Sequence, residues 1–456
     1  MNTEEFINKV CFRIKYKPAR TEISKEIETH ITDLKEEYMI KKNMREEEAE
    51  TESILQMGDA EEIGKKLNKI HRPKINWILI LLLIILIGFE FMITTFKSQY
   101  VLNPYIGNLI RIIKLGLILS IIIYFCNYRK IKKFSLIIYI LATIIMLLQF
   151  TDMSLTINNQ KFITLILGNT FFPPCILAVP LYVIAFAGFI TDYKYENIKK
   201  IKNFNINFDL LRIFSLGIIS ILFMFLSQSL TNIVILTITY LVLTTVKIYK
   251  ENIKSINKIL LLYVVSFIII FTMFFIFNIL YNNSFIEFQN VNSQQQIIQE
   301  DILKNAKLIG ETDLESFRNN ESSLVEESNY TFLYLIGKVG IILSTILIFV
   351  ILLISLNLLF CVKRINEKYG KNLVIGLSSI FILESIIHIL SNLNSSFILN
   401  ANLPLVTYGS VYFAINCIIF AIILSIYRQK DIYMYRNDNN SKNEFIRTLN
   451  FNFLKK

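Results

Sequence analysis

Apolar and polar positions divide this chain into a polar stretch of about 74 residues followed by ten apolar runs. The runs lie at roughly 77–96, 108–126, 134–150, 172–191, 210–227, 230–248, 259–281, 331–360, 372–392 and 405–427. A helix rises about 1.5 Å per residue, so about 20 apolar residues cross a hydrocarbon core of about 30 Å. The pattern predicts an all-α polytopic membrane protein with about ten transmembrane helices behind a small helical N-terminal domain. The expected division is a prefix at 1–74, a membrane domain at 75–430 and a tail at 431–456.

Within the prefix the apolar period becomes that of soluble helices. Ile23, Ile27, Ile31, Leu34 and Tyr38 recur at 3–4 spacing behind Thr21, a candidate N-cap, and Asn43 suits a left-handed stop. A second helix is expected over about 45–57 with Ala49, Ile54 and Met57 inward, ending at Gly58. Asp59 then caps a third, with Ile63 and Leu67 inward and Glu61 and Glu62 at its start. Fifteen Lys and Arg against sixteen Asp and Glu leave residues 1–74 near −1, which is no surface for acidic lipids. Because Met1 to Lys74 is charged, the first apolar run is expected to be a start-transfer anchor, not a cleaved signal.

Charge sets an expected orientation. Arg129, Lys130, Lys132 and Lys133, then Lys194, Lys199, Lys200 and Lys202, then Lys250, Lys254 and Lys258, then Lys363, Arg364, Lys368 and Lys371 mark alternate connections as basic. By the positive-inside rule both termini are expected in the cytoplasm. The net charge of +11 therefore reads as a topology signal and not as nucleic acid binding. Five unpaired cysteines (Cys11, Cys126, Cys175, Cys361, Cys417) read as small buried hydrophobes, and three histidines make a metal site improbable. No cofactor or metal is expected.

Residues 282–330 form a long connection on the opposite side, with nine acidic residues against Lys304, Lys307 and Arg318. Its Asn/Gln-rich start, Asn290 to Gln299, reads as flexible. Asp301 to Phe317 has helical spacing that suits a solvated spacer or a helix on the membrane surface. Inside the spans, Glu384, His388 and Asn392 fall at i, i+4 and i+8, one polar stripe on the ninth run with Ser385 and Ser391 nearby. Such a stripe faces the bundle interior or a cavity, as interhelical hydrogen bonding or as the wall of a polar groove. Glu90 is a lone acid in the first run, expected to snorkel outward.

Two resemblances follow from motifs. Glu28-Thr-His30-Ile31-x-Asp33, Glu46-Glu-Glu-Ala49 and Met57-Gly58-Asp59-Ala60-Glu61-Glu62-Ile63-Gly64 resemble the bacterial permease prefix (HAAS) domain, which implies a regulatory interaction module. Leu403-Pro404-Leu405-Val406-Thr407-Tyr408-Gly409-Ser410, then Ala414-Ile-Asn416 and Leu424-Ser425-Ile426-Tyr427-Arg428, resemble the C-terminal signature of the SEDS family. That family, named for shape, elongation, division and sporulation, includes FtsW, RodA and SpoVE. The Asn392-Leu393 spacing, ten spans and a long loop between the seventh and eighth agree with it.

The resemblance implies a bacterial cell-membrane protein of peptidoglycan synthesis in division, shape or sporulation. It implies lipid II or a related undecaprenyl lipid as substrate and a class B penicillin-binding protein as partner. The family's motifs are only partly kept. Its Arg-Arg-Trp-Ile segment is similar to Gln160-Lys161-Phe162-Ile163, where Lys161 keeps one charge for a pyrophosphate. Its Gln-Pro-Ser-Glu becomes Phe172-Pro173-Pro174-Cys175, and its Gln-Pro-Asp-Leu-Gly-Thr becomes Ser227-Gln228-Ser229-Leu230-Thr231-Asn232. Its essential acid, counted back from Gly337, falls at Tyr330, a poor base with a pKa near 10.

Two mechanisms follow from these matches. The chain is either a divergent peptidoglycan glycosyltransferase, with Glu326 or Glu327 as catalytic base and Lys161, Glu384, His388, Asn392 and Tyr408 binding substrate, or a non-catalytic regulatory paralogue. A third class, a transporter or permease governed by the prefix, is weakened by the lack of charged pairs at mid-membrane.

Overall fold

A computed structural model describes residues 1–97, 103–151, 154–157, 160–165, 170–192, 198–201, 204–227, 229–250, 296–312, 328–393, 399–406 and 410–431, with isolated positions 268 and 272. The chain forms two compact units. The first comprises Met1–Asn76, Lys363–Lys368 and Ile426–Lys456, and the second Trp77–Val362 and Tyr369–Ser425.

Four helices build the N-terminal part of the first unit: α1 (Thr3–Arg13), α2 (Lys17–Lys42), α3 (Glu46–Met57) and α4 (Ala60–Ile70). Helix α1 was not expected from the sequence. Its Asn2 cap accepts from Glu5 N, and it buries Phe6 and Val10. Helix α2 starts earlier than Thr21, with Pro18 in its first turn, where a missing N–H costs nothing. Thr21 instead donates its hydroxyl to Pro18 O at 3.0 Å. Asn43 adopts φ 48 and stops α2 as the sequence predicts. Gly58, at φ 91, ends α3 in a region that disfavours a side chain, and Asp59 accepts from Glu61 N and Glu62 N to start α4. Ile23, Ile27, Ile31, Ala49, Ile54, Ile63 and Leu67 form the core. In the same unit Lys74 N donates to Arg428 O at 3.1 Å, Lys74 pairs with Asp431 at 2.7 Å, and Arg364 donates to the Tyr427 hydroxyl at 3.1 Å.

The second unit carries the spans. They are α5 (Trp77–Lys97), α6 (Asn103–Phe125), α8 (Ser135–Leu147), reached through the short α7 (Arg129–Lys133), α9 (Pro174–Asp192), α10 (Phe208–Leu226) and α11 (Leu230–Lys250). After a helix over 296–305 (α12) come α13 (Thr331–Val339), α14 (Ile341–Arg364), α15 (Lys368–Leu393) and α16 (Ser410–Arg428). Six of these are long and apolar enough to cross a membrane, and shorter apolar helices stand at Lys114–Phe125, Ser135–Phe150 and Arg212–Leu226. The expected seventh run, 259–281, lies almost wholly outside the described residues. Large apolar side chains such as Ile78, Leu81, Ile84, Phe349 and Leu352 point outward, as lipid-facing positions do. The apolar windows of α9, α15 and α16 are 72 %, 67 % and 83 % buried against 33 % for α5 and α14, which places the first three at the centre of the bundle. Glu90, expected to snorkel, is buried at 3 % exposure: α5 turns this face inward.

Three features depart from the sequence pattern. The connections carry small antiparallel sheets. One is β1 (Ser154–Ile157), β2 (Gln160–Leu165) and β3 (Thr170–Phe172), and the other is β4 (Ile198–Ile201) with β5 (Phe204–Asn207). The Asn/Gln-rich stretch read as flexible ends in α12. Finally, the continuous apolar run 331–360 is broken into α13 and α14 at Gly340, whose φ of 100 a side chain rarely adopts. A Cβ there would stand 2.8 Å from Leu308 O, so the residue must also be small.

Candidate functional site

One cluster of hydrogen-bonded polar side chains in the second unit lies where α15 ends and α9, α11 and the half-helix α13 begin. Helix α13 is nine residues long and buries every residue from Thr331 to Gly337. Its first amides need acceptors, and its own N-cap, Tyr330, makes no side-chain cap bond. Asn392 supplies one from α15. Its Oδ1 accepts from Leu333 N at 2.9 Å, while its Nδ2 donates to Asn329 O and His388 O, both at 2.9 Å. Asn392 is fully buried, so these bonds have no water to compete with.

The last turn of α15 has the complementary problem, carbonyls without partners. Gln299, on α12 and 3 % exposed, donates to Ser391 O at 3.0 Å and Asn392 O at 2.9 Å. A two-amide clasp thus joins α12, α13 and α15. Beyond α12 the backbone continues the attachment. Ile341 N and Ile342 N donate to Lys307 O and Leu308 O at 3.0 and 3.1 Å, and Gly310 N and Thr312 N donate to Val339 O and Gly337 O at 2.9 and 2.8 Å. Lys338 pairs with Glu311 at 3.0 Å beside this ladder.

Lower on the same stripe, Glu384 Oε2 accepts from the Tyr412 hydroxyl at 2.6 Å, and that hydroxyl is also 3.2 Å from Asn402 O. His388 Nδ1 lies 2.7 Å from Ala401 O, which can only accept, so Nδ1 carries the proton. Ser391 Oγ donates to His388 O, and Asn400 N donates to Thr231 Oγ1 at 3.1 Å. Residues 400–402 are therefore held from three helices: Asn400 by Thr231 and Ser391, Ala401 by His388 and Asn402 by Tyr412. They lead into a tight turn at Leu403–Val406, closed by Val406 N donating to Leu403 O at 3.3 Å. Leu405 takes φ 62 there while 2 % exposed, a strained backbone held in place by burial.

Two segments singled out in the sequence also meet. Asn232 Nδ2 donates to Ser229 Oγ at 2.6 Å and to Cys175 Sγ at 3.3 Å. The start of α11 is thereby linked to the start of α9.

The stripe Glu384, His388 and Asn392 faces inward, as expected of polar groups in a span, with exposures of 9 %, 0 % and 0 %. The backbone of Lys161 lies in β2 opposite Thr156. Glu326, Glu327 and Tyr408 lie outside the described residues. Sequence reasoning missed Gln299, hidden in a run of glutamines read as flexible, and Tyr412, which no spacing rule connects to Glu384. Chemically, this arrangement positions backbone and binds neutral polar groups. Among the described residues, no group of three His, Cys, Asp or Glu could hold a metal ion.

No protein-family model matches the chain, and no curated protein matches it. Solved structures do. A chain from a structure on the coordination of polymerization and crosslinking by a peptidoglycan synthase complex aligns with a TM-score of 0.57 at 13 % identity, over 78 % of this chain and 98 % of that one. The rod shape determining protein RodA of Thermus thermophilus aligns at 0.56 and 13 %, over 78 % and 97 %. A point mutant of that RodA aligns at 0.55 and 12 %, over 78 % and 98 %. The chain shares the fold of these proteins along almost their whole length.

Proposed function

We propose that this is a SEDS-like protein of peptidoglycan synthesis in a bacterial cell membrane, with both termini and the helical prefix in the cytoplasm. The observation that carries this reading is the fold shared with RodA over 78 % of the chain, joined to the sequence signature at Leu403–Ser410. Its ligand is an undecaprenyl-linked lipid of the lipid II type, with Lys161 and Tyr408 at the headgroup. Glu384, His388 and Asn392 act by holding the segments around it. A class B penicillin-binding protein is the expected partner.

Within this reading we favour a non-catalytic, regulatory paralogue. Three positions support it. Tyr330, at the N-cap of α13, stands where the family's acid is expected, Cys175 where its glutamate is, and Ser229 where the aspartate of its Gln-Pro-Asp-Leu-Gly-Thr motif is. The observation favouring a polymerase is the pair Glu326 and Glu327, a few residues before α13. Purified protein incubated with labelled lipid II, with and without a class B penicillin-binding protein, decides between them. Polymer that disappears in the Glu326→Ala/Glu327→Ala double variant establishes the polymerase. Saturable lipid II binding without polymer establishes the paralogue. Neither binding nor polymer from folded protein overturns the cell-wall reading and returns a transporter to consideration.

A further inference from the structure

The backbone ladder that fastens residues 307–312 to the break at Gly340 has a consequence outside the bundle. It fixes Leu308 and Ile309 in place while leaving them 68 % and 76 % exposed. Two adjacent large apolar residues on a rigid turn are an unusual surface to leave in water. Their neighbours show what covers them. Leu308 O accepts from Ile342 N, so the turn is level with the first residues of α14. From Ile342 the outward face of α14 continues through Ile346, Phe349, Leu352, Leu356 and Leu359, all exposed and all apolar, which is the face of a span toward lipid.

Depth follows from length. The basic end of α14, Lys363–Arg364, stays at headgroup level, because a charge inside the hydrocarbon is costly. Counting back to Ile341 at about 1.5 Å per residue gives a rise of roughly 33 Å, close to the hydrocarbon thickness of about 30 Å. The turn therefore sits at the boundary between acyl chains and headgroups. Lys304 and Lys307, both exposed, precede it and suit the phosphate layer beside such a boundary.

We propose that Leu308 and Ile309 are a membrane-seated wedge: they insert into the acyl–headgroup boundary of the leaflet at this end of α14 and hold the clasped segment 296–312 against the bilayer. The occupant of this apolar surface is lipid, because it is continuous with the lipid-facing stripe of α14. The clasp of Gln299 and Asn392 makes the wedge rigid, so lipid contact and the position of α13 are linked. This inference does not depend on the proposed enzymology.

Trp77 is the sole tryptophan of the chain, which makes the test direct. The double variant Trp77→Phe/Ile309→Trp is placed in phosphatidylcholine vesicles containing lipids brominated either just below the headgroup or near the bilayer centre. The expected result is blue-shifted emission, a strong loss of intensity with the shallow bromines, a small loss with the deep ones, and weak quenching by aqueous iodide. Red-shifted emission quenched by iodide overturns the proposal in favour of a solvated loop. Blue-shifted emission insensitive to both bromolipids also overturns it, because protein then covers the patch. Trp77→Phe/Leu308→Trp serves in the same way if the first variant does not fold.

Discussion

Replacing Asn392 tests whether the clasp holds the half-helix. In Asn392→Ala, Leu333 N loses its acceptor and Asn329 O loses its donor, both from bonds of 2.9 Å at a fully buried site. Each buried polar group left without a partner costs about 1–3 kcal/mol, and more water-free surroundings do not reduce that. The pair together is worth about 2–4 kcal/mol, allowing for partial relaxation. Asn392→Asp sharpens the test, because it keeps the acceptor for Leu333 N. It removes the donor, however, and turns a carboxylate oxygen toward Asn329 O and His388 O. It should therefore be at least as damaging as alanine, although it is the closer match in shape. Hydrogen exchange of the full-length protein in detergent reads both effects at the Leu333 amide and along Thr331–Val339. Faster exchange there, with α2 and α3 of the prefix unchanged, is the expected pattern. Unchanged exchange in the alanine variant refutes the claim that Asn392 caps the half-helix.

Two further predictions rest on backbone and charge. Gly340→Ala puts a side chain at φ 100 with Leu308 O at 2.8 Å, at a cost of about 1–3 kcal/mol, so exchange should rise across 307–312 and the thermal midpoint should fall. An unchanged midpoint would mean that the break tolerates a side chain. In the prefix, the Thr3 hydroxyl and amide donate to Glu50 at 2.5 and 2.9 Å and hold its carboxyl below the usual range. A lowered folded value means these bonds stabilise the fold above the unfolded pKa of about 4.3, and that this contribution is lost as pH falls through the folded value. Protection at the start of α1 should then drop below about pH 4 in the wild type, but not in Glu50→Gln. Identical pH profiles would remove Glu50 as the cause.

How much was legible in the sequence differs by element. Asn43, Gly58 and Asp59 act locally, through their own φ or their own side-chain oxygen, and the sequence announces them correctly. The spans are legible because length and hydropathy suffice. The break at Gly340 is not, since Phe332, Leu335, Ile341 and Ile342 are apolar on both sides and a hydropathy window runs through it. Only the glycine and the lysine at 338 hint at a boundary. Gln299 fails for another reason: its role depends on carbonyls about 92 residues away, and nothing near it in sequence separates one buried glutamine from its flexible-looking neighbours. The polar stripe on α15 lies between these cases. Its periodicity shows that it faces inward, but its partners Tyr412, Ala401 and Leu333 come from tertiary structure alone.

The pairing of Cys175 with Asn232 bears on the choice between polymerase and paralogue. In the resemblance, both places belong to segments whose family members carry acids. Here the two segments still meet, at 3.3 Å, but through a thiol and an amide. By the alignment above, Cys175 stands at the glutamate and Ser229 at the aspartate, and Asn232 bridges them, donating to Ser229 Oγ at 2.6 Å and to Cys175 Sγ. A neutral junction of this kind agrees with the proposed paralogue, which has no use for the two acids. Reintroducing acid at this point with Cys175→Glu should therefore not create polymerase activity. It should loosen the start of α9 and α11, because a carboxylate at the buried Cys175 position is harder to desolvate than a thiol. Lipid II polymerisation gained by Cys175→Glu, without loss of stability, would refute the paralogue and show that one missing charge was all that kept the site silent.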